Sequence, residues 1–547
     1  MSFSGPQLEL LIGNPSIWQW ILEGDELLLG QSTSADPTLS HTRGFHDSAT
    51  GEFVSFYDLK PIATTVCTIL HQEYDVRPGQ TIAIIRQNSI WYPAAMLAAS
   101  RLGAVVTLLP PGSMKDDLIY LLGTSKTALV FTDESAVDKV TAASKALGIP
   151  AKNVLRLDGP EYQMNSLRNL RQRGESMYPS SYAKSWGPKY NEPSPCAFLS
   201  WSSGTTGKLK AVQISHANVI SQLRQISVLT PPDRRRTVLG ALPFYHITGL
   251  VHLLHLPIVL EQQMMETTVR FKCDKLWLVP PLLIRLLNDK SAQGYDLSFV
   301  KQFNTGAAPL ADQLISRLAR KFPTVAVRQA WGMTETTSCL TVTPPDLSTW
   351  SNASKVGKLV PGTEIRVVDP DTGEYVPAGN VGEIWAKGPQ VTMGCLDRPE
   401  ETAASYLQDG FFKTGDLGSI DNEGFITIHD RIKEMIKVRG HAVAPAELED
   451  LLHGHPKVKD AAIIGIPDDY SGEMPRAFVV LASGVQGGPE VVRELQEFVA
   501  ARKAKHKRLS GGVEFVDQIP KSPSGKILRR VLKASWKEKM ESKRAKL

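Results

Sequence analysis

The run Leu199-Ser200-Trp201-Ser202-Ser203-Gly204-Thr205-Thr206-Gly207-Lys208-Leu209-Lys210 gathers hydroxyls, glycines and lysines into one short stretch. Glycine lets backbone N–H groups turn toward a ligand, hydroxyls add hydrogen bonds, and lysines add positive charge, a combination suited to a polyphosphate. The spacing is not that of a Walker loop, which needs a longer gap between its first glycine and the Gly-Lys pair. Here only Thr205 and Thr206 separate Gly204 from Gly207. Composition alone equally describes a polar surface turn, so the meaning of the run depends on what accompanies it.

Further chemistry-bearing segments follow in order. Leu242-Pro243-Phe244-Tyr245-His246 comes first, then Asn304-Thr305-Gly306-Ala307-Ala308-Pro309-Leu310 and Gln329-Ala330-Trp331-Gly332-Met333-Thr334-Glu335. Lys413-Thr414-Gly415-Asp416, Asp430-Arg431-Ile432-Lys433-Glu434 and Pro520-Lys521-Ser522-Pro523-Ser524-Gly525-Lys526 complete the series. Singly, each has a plain reading. Glu335 suits a helix entry, Asp416 a turn, Arg431 a surface, Trp331 a core, and His246 a satisfied structural position. Lys526 is one lysine of a basic tail, lifted out of it by its Pro-x-x-x-x-Gly-Lys setting.

Taken together and in this order, the segments closely resemble the adenylate-forming superfamily of acyl-CoA synthetases, coumarate–CoA ligases, insect luciferases and peptide-synthetase adenylation domains. The resemblance covers about residues 50 to 535. It implies that a carboxylate attacks the α-phosphate of ATP to give an acyl-adenylate and pyrophosphate, and that coenzyme A then displaces AMP to give a thioester.

The resemblance also assigns roles. Ser202, Ser203, Gly204, Thr205, Thr206, Gly207 and Lys210 would wrap the β- and γ-phosphates. Glu335, helped by Thr205, would hold Mg²⁺, a hard cation that takes oxygen ligands. Thr334 would meet the α-phosphate. Gly306, Ala307 and Ala308 would admit adenine, with Trp331 stacked on its other face ahead of Gly332. Asp416 would receive both ribose hydroxyls, since a carboxylate can accept two donors, and Arg431 would support ribose and phosphate. Lys526 would be catalytic, its ammonium stabilising charge that builds on the α-phosphate. His246 would stand near the substrate carboxylate. Lys437, Arg439 and Gly440 would guide coenzyme A after the C-terminal domain turns about a pivot near Lys433. The chain departs from its relatives at Leu209, Ala211 and Ala442, where Pro, Gly and Gln are common.

Elements must position these residues. From Phe53 to about Ser135 short apolar strands (Thr81 to Ile85, Ala104 to Leu109, Ala128 to Thr132) alternate with helical patterns (Leu59 to Tyr74, Trp91 to Leu102), which predicts a parallel sheet covered by helices. Residues 160–195 show little periodicity and read as a long connection into a strand at Cys196 to Trp201. Strands are also expected at Lys275 to Val279, Phe303 to Thr305 and Val325 to Gln329, and Gly249 to Leu260 reads as a buried helix. From Gly357 to about Asp430, short strands with Gly and Asp turns indicate a β-rich subdomain. A new pattern then begins: Ala446 to Leu452 helical, Val458 to Ile466 and Arg476 to Leu481 extended, Val491 to Lys505 helical. The expected fold is α/β, with a large N-terminal AMP-binding domain at 1–430 built on parallel and mixed sheets. A small mobile α+β domain at 431–547 follows, bearing the catalytic lysine.

Composition narrows the function classes. The chain has 547 residues, 42% hydrophobic and 21% charged, which fits a folded globular protein. Residues 501–547 hold fifteen Lys or Arg against four Asp or Glu, while the net charge is only +5. Only Phe515 and Trp536 are aromatic there, too few to serve as successive stacking platforms, so no nucleic-acid partner is expected. The five cysteines lie far apart without metal-ligand spacing, which predicts a reducing compartment. No Lys or Arg precedes Arg43, so neither a secretory nor a mitochondrial leader is expected, and no stretch is long enough for a transmembrane segment. The terminal Ala545-Lys546-Leu547 is a variant of the peroxisomal address, with an import receptor as the implied partner and a cytoplasmic location otherwise.

The acid is constrained by absence of charge. No acidic residue lies between Asp233 and Glu261, where amino-acid-activating relatives place a partner for the substrate ammonium. The wall Thr248 to His255 with Ser338, Cys339 and Leu340 is mostly apolar, so an aryl, arylalkanoic or medium-chain fatty acid is expected. The alternatives are another acceptor (a carrier-protein thiol or, as in luciferases, oxygen) and a non-catalytic ligand sensor on the same fold.

Overall fold

The computed structural model describes residues 2–8, 15–23, 44–47, 49–158, 165–177, 196–203, 209–229, 238–239, 242–252, 272–288, 295–306, 310, 312–521 and 526–544. Gly204 to Lys208, Ala307 to Pro309, Ser522 to Gly525 and Ala545 to Leu547 lie outside the described residues.

The first sheet has six strands in the order Val154–Arg156, Thr127–Thr132, Thr81–Ile85, Val105–Leu109, Cys196–Ser203, Leu209–Ser215. All pairs are parallel except the last, an antiparallel hairpin. Every residue of Thr81–Ile85 is buried, as its unbroken apolar run requires of a central parallel strand covered on both faces. Helix Phe56–Gln72 starts where the Ser55 hydroxyl accepts the Asp58 N–H, and it buries Leu59, Ile62, Val66, Ile69 and Leu70 on one face. Helix Tyr92–Leu102 stops at Gly103, whose φ of 75° no side-chain-bearing residue adopts cheaply.

A second sheet runs Val238–Leu239, Lys275–Trp277, Gln302–Thr305, Ala326–Trp331, Thr341–Val342, Lys358–Leu359, parallel through its first four strands and antiparallel after them. A third, wholly antiparallel, orders Ser2–Ser4, Glu364–Val368, Gly382–Lys387, Phe412–Ile420 and Ile426–Arg431. This is the β-rich region expected after Gly357. Near the C-terminus, His441–Val443, Ile436–Val438, Gly472–Leu481 and Val458–Asp468 form a further antiparallel sheet, with Val513–Phe515 added in parallel. It has its own apolar core, including Leu448, Leu452, Ile463, Val479, Leu495 and Val499.

Two expectations change. The stretch read as a connection contains the helix Leu167–Met177. Its buried face is only Leu167, Leu170 and Gly174, and a side chain at Gly174 would collide with Thr65, so a small residue hides the period. The helix expected to reach Lys505 spans Pro489–Ala500. Beyond it, Lys503 and Lys507 turn toward the Glu447 carboxylate at 2.7 and 2.6 Å. Of the helix expected over Gly249 to Leu260, Ile247–His252 is described and the remainder lies outside the described residues. Among the described residues, no helix is long and apolar enough to cross a membrane.

Candidate active site

Strands Phe412–Ile420 and Ile426–Arg431 place Asp416 directly opposite Arg431. The turn into Asp416 needs Gly415, whose φ is 70°. The Asp416 side chain is 4% exposed. Its Oδ2 accepts the Trp331 indole N–H at 2.8 Å. Its Oδ1 lies 3.1 Å from Arg431 Nε but accepts no hydrogen bond among the described residues. Burial pushes the carboxyl pKa up, while Arg431, the indole N–H and Lys526 pull it down. A buried carboxylate oxygen with a free acceptor site is what a ligand hydroxyl would satisfy.

Trp331 is 8% exposed and packs in a core with Leu340, Val356, Leu359 and Ile365. The indole therefore anchors Asp416, and its rings are largely covered. Gly306 follows strand Gln302–Thr305 so closely that a Cβ would lie 2.9 Å from the Ala330 carbonyl. Gly332 is equally constrained, since a side chain there would strike the Ser338 carbonyl.

Thr334 and Glu335 form a single 3₁₀ turn with Thr336. The Ser202 hydroxyl donates to Glu335 Oε1 at 2.6 Å, joining the end of the first sheet to this turn. The Glu335 carbonyl accepts the N–H and the hydroxyl of Thr392, both at 3.0 Å. Among the described residues no cluster of three or more His, Cys, Asp or Glu could enclose a metal. A single carboxylate fits a Mg²⁺ that keeps phosphate and water oxygens for the rest of its shell.

Of the phosphate run, Ser202 is at the site, and only the backbone of Ser203 is described. Gly204, Thr205, Thr206 and Gly207 lie outside the described residues. Lys210 is ion-paired with Glu401, which also takes Arg398 at 2.9 Å. Ala307 and Ala308 lie outside the described residues.

Lys526 is drawn into the group around Asp416. Its pKa is lowered to about 8, first by burial and then by Arg431 and Lys433, against the pull of Glu434 and Asp416. Lys433 is lowered too, by burial and Arg431, and it feels Glu335 and Asp416 as well. The structure thus brings Lys526, Asp416, Arg431, Lys433 and Glu434 together. Behind Lys526, Arg529 donates to Glu434 at 2.7 Å and to both Glu449 oxygens at 2.6 and 2.7 Å. It also reaches the Ile463 carbonyl at 3.1 Å. The sequence reading missed this clasp, although Arg529 stands three residues beyond Lys526.

Lys437, Arg439 and Gly440 occupy an exposed hairpin of the C-terminal sheet. Arg439 has a φ of 50°, donates its N–H to Ser471 at 2.8 Å and lies 4.4 Å over the Tyr470 ring. These described partners of Arg439 belong to the C-terminal sheet region and not to the group around Asp416.

His246 opens helix Ile247–His252. Burial lowers its pKa to about 4, so the imidazole is neutral, and its Nε2 has no hydrogen-bond partner among the described residues. Asn88 holds the segment before it from both sides. Its Oδ1 accepts the Phe244 N–H and its Nδ2 donates to the Leu242 carbonyl, each at 2.8 Å. Thr248 Oγ1 lies 3.4 Å from Ser338 Oγ, so the two expected walls of the acid pocket meet.

A family model described as "AMP-binding enzyme" matches residues 40–396, and one described as "AMP-binding enzyme C-terminal domain" matches residues 447–526. The chain is similar to the peroxisomal OPC-8:0-CoA ligase 1 of Arabidopsis thaliana, 34% identical over 504 residues, with 89% of each chain covered. It is similar in structure to ATP-bound MatB from Rhodopseudomonas palustris, with a TM-score of 0.79 at 27% identity over 92% of this chain and 97% of that one. It also resembles o-succinylbenzoate CoA synthetase (MenE) from Bacillus subtilis in complex with its acyl-adenylate intermediate OSB-AMP. There the TM-score is 0.73 at 26% identity, covering 90% and 95% of the two chains.

Proposed function

Since the chain belongs to the AMP-binding enzymes of the adenylate-forming superfamily, we propose that it activates an apolar carboxylic acid with ATP and passes the acyl group to coenzyme A. The observation that carries this reading is the buried Asp416, with one acceptor site open among the described residues beside Arg431 and Lys526. Ribose hydroxyls donate to Asp416. The Lys526 ammonium faces the α-phosphate, where negative charge builds as the acid oxygen attacks and pyrophosphate leaves. Arg431 and Lys433 add positive charge on the same side. Neutral His246 offers the Nε2 that has no partner among the described residues to the carboxylate end of the acid, without adding charge.

Glu335, steadied by Ser202 and Thr392, and Thr205 are the residues that would hold Mg²⁺. When bound, the ion neutralises phosphate charge. Gly204 to Gly207 and Lys210 serve the departing pyrophosphate, and Lys210 must exchange its ion pair with Glu401 for a phosphate oxygen. Residues 431–547 then turn about Lys433, bringing Lys437, Arg439 and Gly440 to coenzyme A. The acid is an aryl, arylalkanoic or medium-chain fatty acid without an α-amino group. Ala545-Lys546-Leu547 directs the protein to peroxisomes, in keeping with the name of the Arabidopsis relative.

ATP–pyrophosphate exchange over a panel of carboxylic acids, with and without coenzyme A, tests this reading. Acid-dependent exchange together with coenzyme A consumption is expected. Exchange without coenzyme A consumption would assign another acceptor, and no exchange with any acid would assign a sensor. A fluorescent fusion lacking the last three residues should stay outside peroxisomes.

A further inference from the structure

Gln222, Gln225 and Gln390 are each 0% exposed, and none belongs to a segment that the sequence singled out. Their amides form one continuous chain. Gln222 Oε1 accepts the Cys339 N–H at 2.6 Å, and Gln222 Nε2 donates to Gln225 Oε1 at 3.0 Å. Gln225 Nε2 donates to Gln390 Oε1 at 3.0 Å and to the Pro361 carbonyl at 2.7 Å. Gln390 Nε2 ends the chain on Thr363 Oγ1 at 2.6 Å. The Gln390 carbonyl in turn accepts the Thr337 hydroxyl at 2.7 Å. The loop after Glu335 is therefore gripped twice by the same network.

That loop is strained. Thr337 and Ser338 are consecutive non-glycine residues with φ of 50° and 101°. The left-handed region is unfavourable for a residue with a side chain, and most of all for a β-branched threonine, so the surroundings must hold it there. Gly332 makes room for the Ser338 carbonyl, which lies where a side chain at position 332 would stand. One limb of the loop carries Thr334 and Glu335. The other presents Ser338 to Thr248 at the acid pocket. A chain of uncharged amides polarises along its length and holds this geometry without burying a charge.

We propose that Gln222 is a positioning residue: the amide chain Gln222–Gln225–Gln390–Thr363 holds the left-handed Thr337–Ser338 pair and so sets the acid pocket at Ser338 relative to Glu335. The proposal rests on the reading of that wall as the acid pocket. Gln222→Met keeps the side-chain length and removes the acceptor for Cys339 N–H. It should raise KM for the best acid of the panel about tenfold or more, as expected when a reacting group is misplaced. The Kd of the matching acylsulfamoyl adenosine, measured by calorimetry, should rise in step, while KM for ATP stays within about twofold.

A lower melting temperature with acid KM and inhibitor Kd unchanged would overturn the proposal. If Gln222→Met does not fold, Gln225→Met removes the anchor one link away. It should shift acid KM several-fold in the same direction, and no shift overturns the proposal. A parent protein without exchange activity would instead sink the functional reading itself.

Discussion

Two buried polar networks support the site from different parts of the chain, and they use opposite electrostatics. Beneath the Glu335 loop the amides of Gln222, Gln225 and Gln390 carry no charge. Behind Lys526 the network is ionic: Arg529 is clasped by Glu434 and Glu449, with Asp430 close enough to raise its pKa further. Neutral amides hold a loop in one strained shape and do not respond to pH or salt. Charges held together in a low-dielectric interior instead set the poise of a neighbouring ammonium, at the cost of depending on every partner. The first network suits a part that stays fixed, the second a part whose charge is its function.

The comparison breaks most readily at Arg529. Arg529→Leu leaves Glu434 and Glu449 buried without their cation, which should cost about 3–5 kcal/mol. Gln222→Met leaves one N–H and one amide oxygen unsatisfied, both neutral and each toward the lower end of the usual cost, together about 2 kcal/mol. In thermal unfolding by calorimetry Arg529→Leu should show the larger drop, carried by the C-terminal sheet. A larger drop for Gln222→Met would reverse the contrast. Next comes the ammonium itself. Lys526→Ala should slow adenylation by roughly 10² to 10³ with little change in melting temperature. Thioester formation from supplied acyl-adenylate should suffer much less, and equal loss in both half-reactions would remove Lys526 from its role.

How much of this was legible in the sequence follows the range of the interactions. Thr81–Ile85 and Tyr92–Leu102 are readable because their signals are local: an unbroken apolar run, and a glycine where the helix must end. Leu167–Met177 was not, because Gly174 fills its buried face and polar residues dominate the rest. Asp416, Glu335 and Lys526 stand out through the short motifs around them. Gln222 does not, for its partners lie 117 and 165 residues from it or from Gln225, and a lone glutamine within a helix carries no local mark. Asn88, with partners 154 and 156 residues away, is hidden for the same reason. The bond from Trp331 to Asp416 is hidden in the same way, across 85 residues. The tryptophan's neighbours in sequence do not reveal that Asp416 takes its N–H.

A smaller effect is expected at Asp416. Asp416→Asn keeps the shape but loses the charge that draws ribose hydroxyls, and hydrogen bonds to charged groups contribute about 1.5–3 kcal/mol. KM for ATP should rise by roughly one to two powers of ten with KM for the acid little changed. Unaltered ATP binding would mean that the open Oδ1 serves the fold and not the nucleotide.

The mildest test uses pH and asks whether the ionic network truly sets the ammonium. Burial, Arg431 and Lys433 lower the Lys526 pKa to about 8. The catalytic form is the charged one, so the sign is fixed: kcat/KM for ATP should be level below that value and fall as pH rises through it. Well above it the fall should approach about tenfold per pH unit. Bound triphosphate favours the ammonium, so kcat should turn down at higher pH than kcat/KM. Lys526→Arg stays charged throughout this range, and whatever its absolute rate, the fall near 8 should vanish from its profile. Replacing Glu434 with Gln removes an anion that raises the pKa, so in Glu434→Gln the fall should begin at lower pH. Gln222→Met, touching only neutral amides, should leave it where it is. A profile that moves with Gln222 and not with Glu434 would mean that the two networks are not electrically separate.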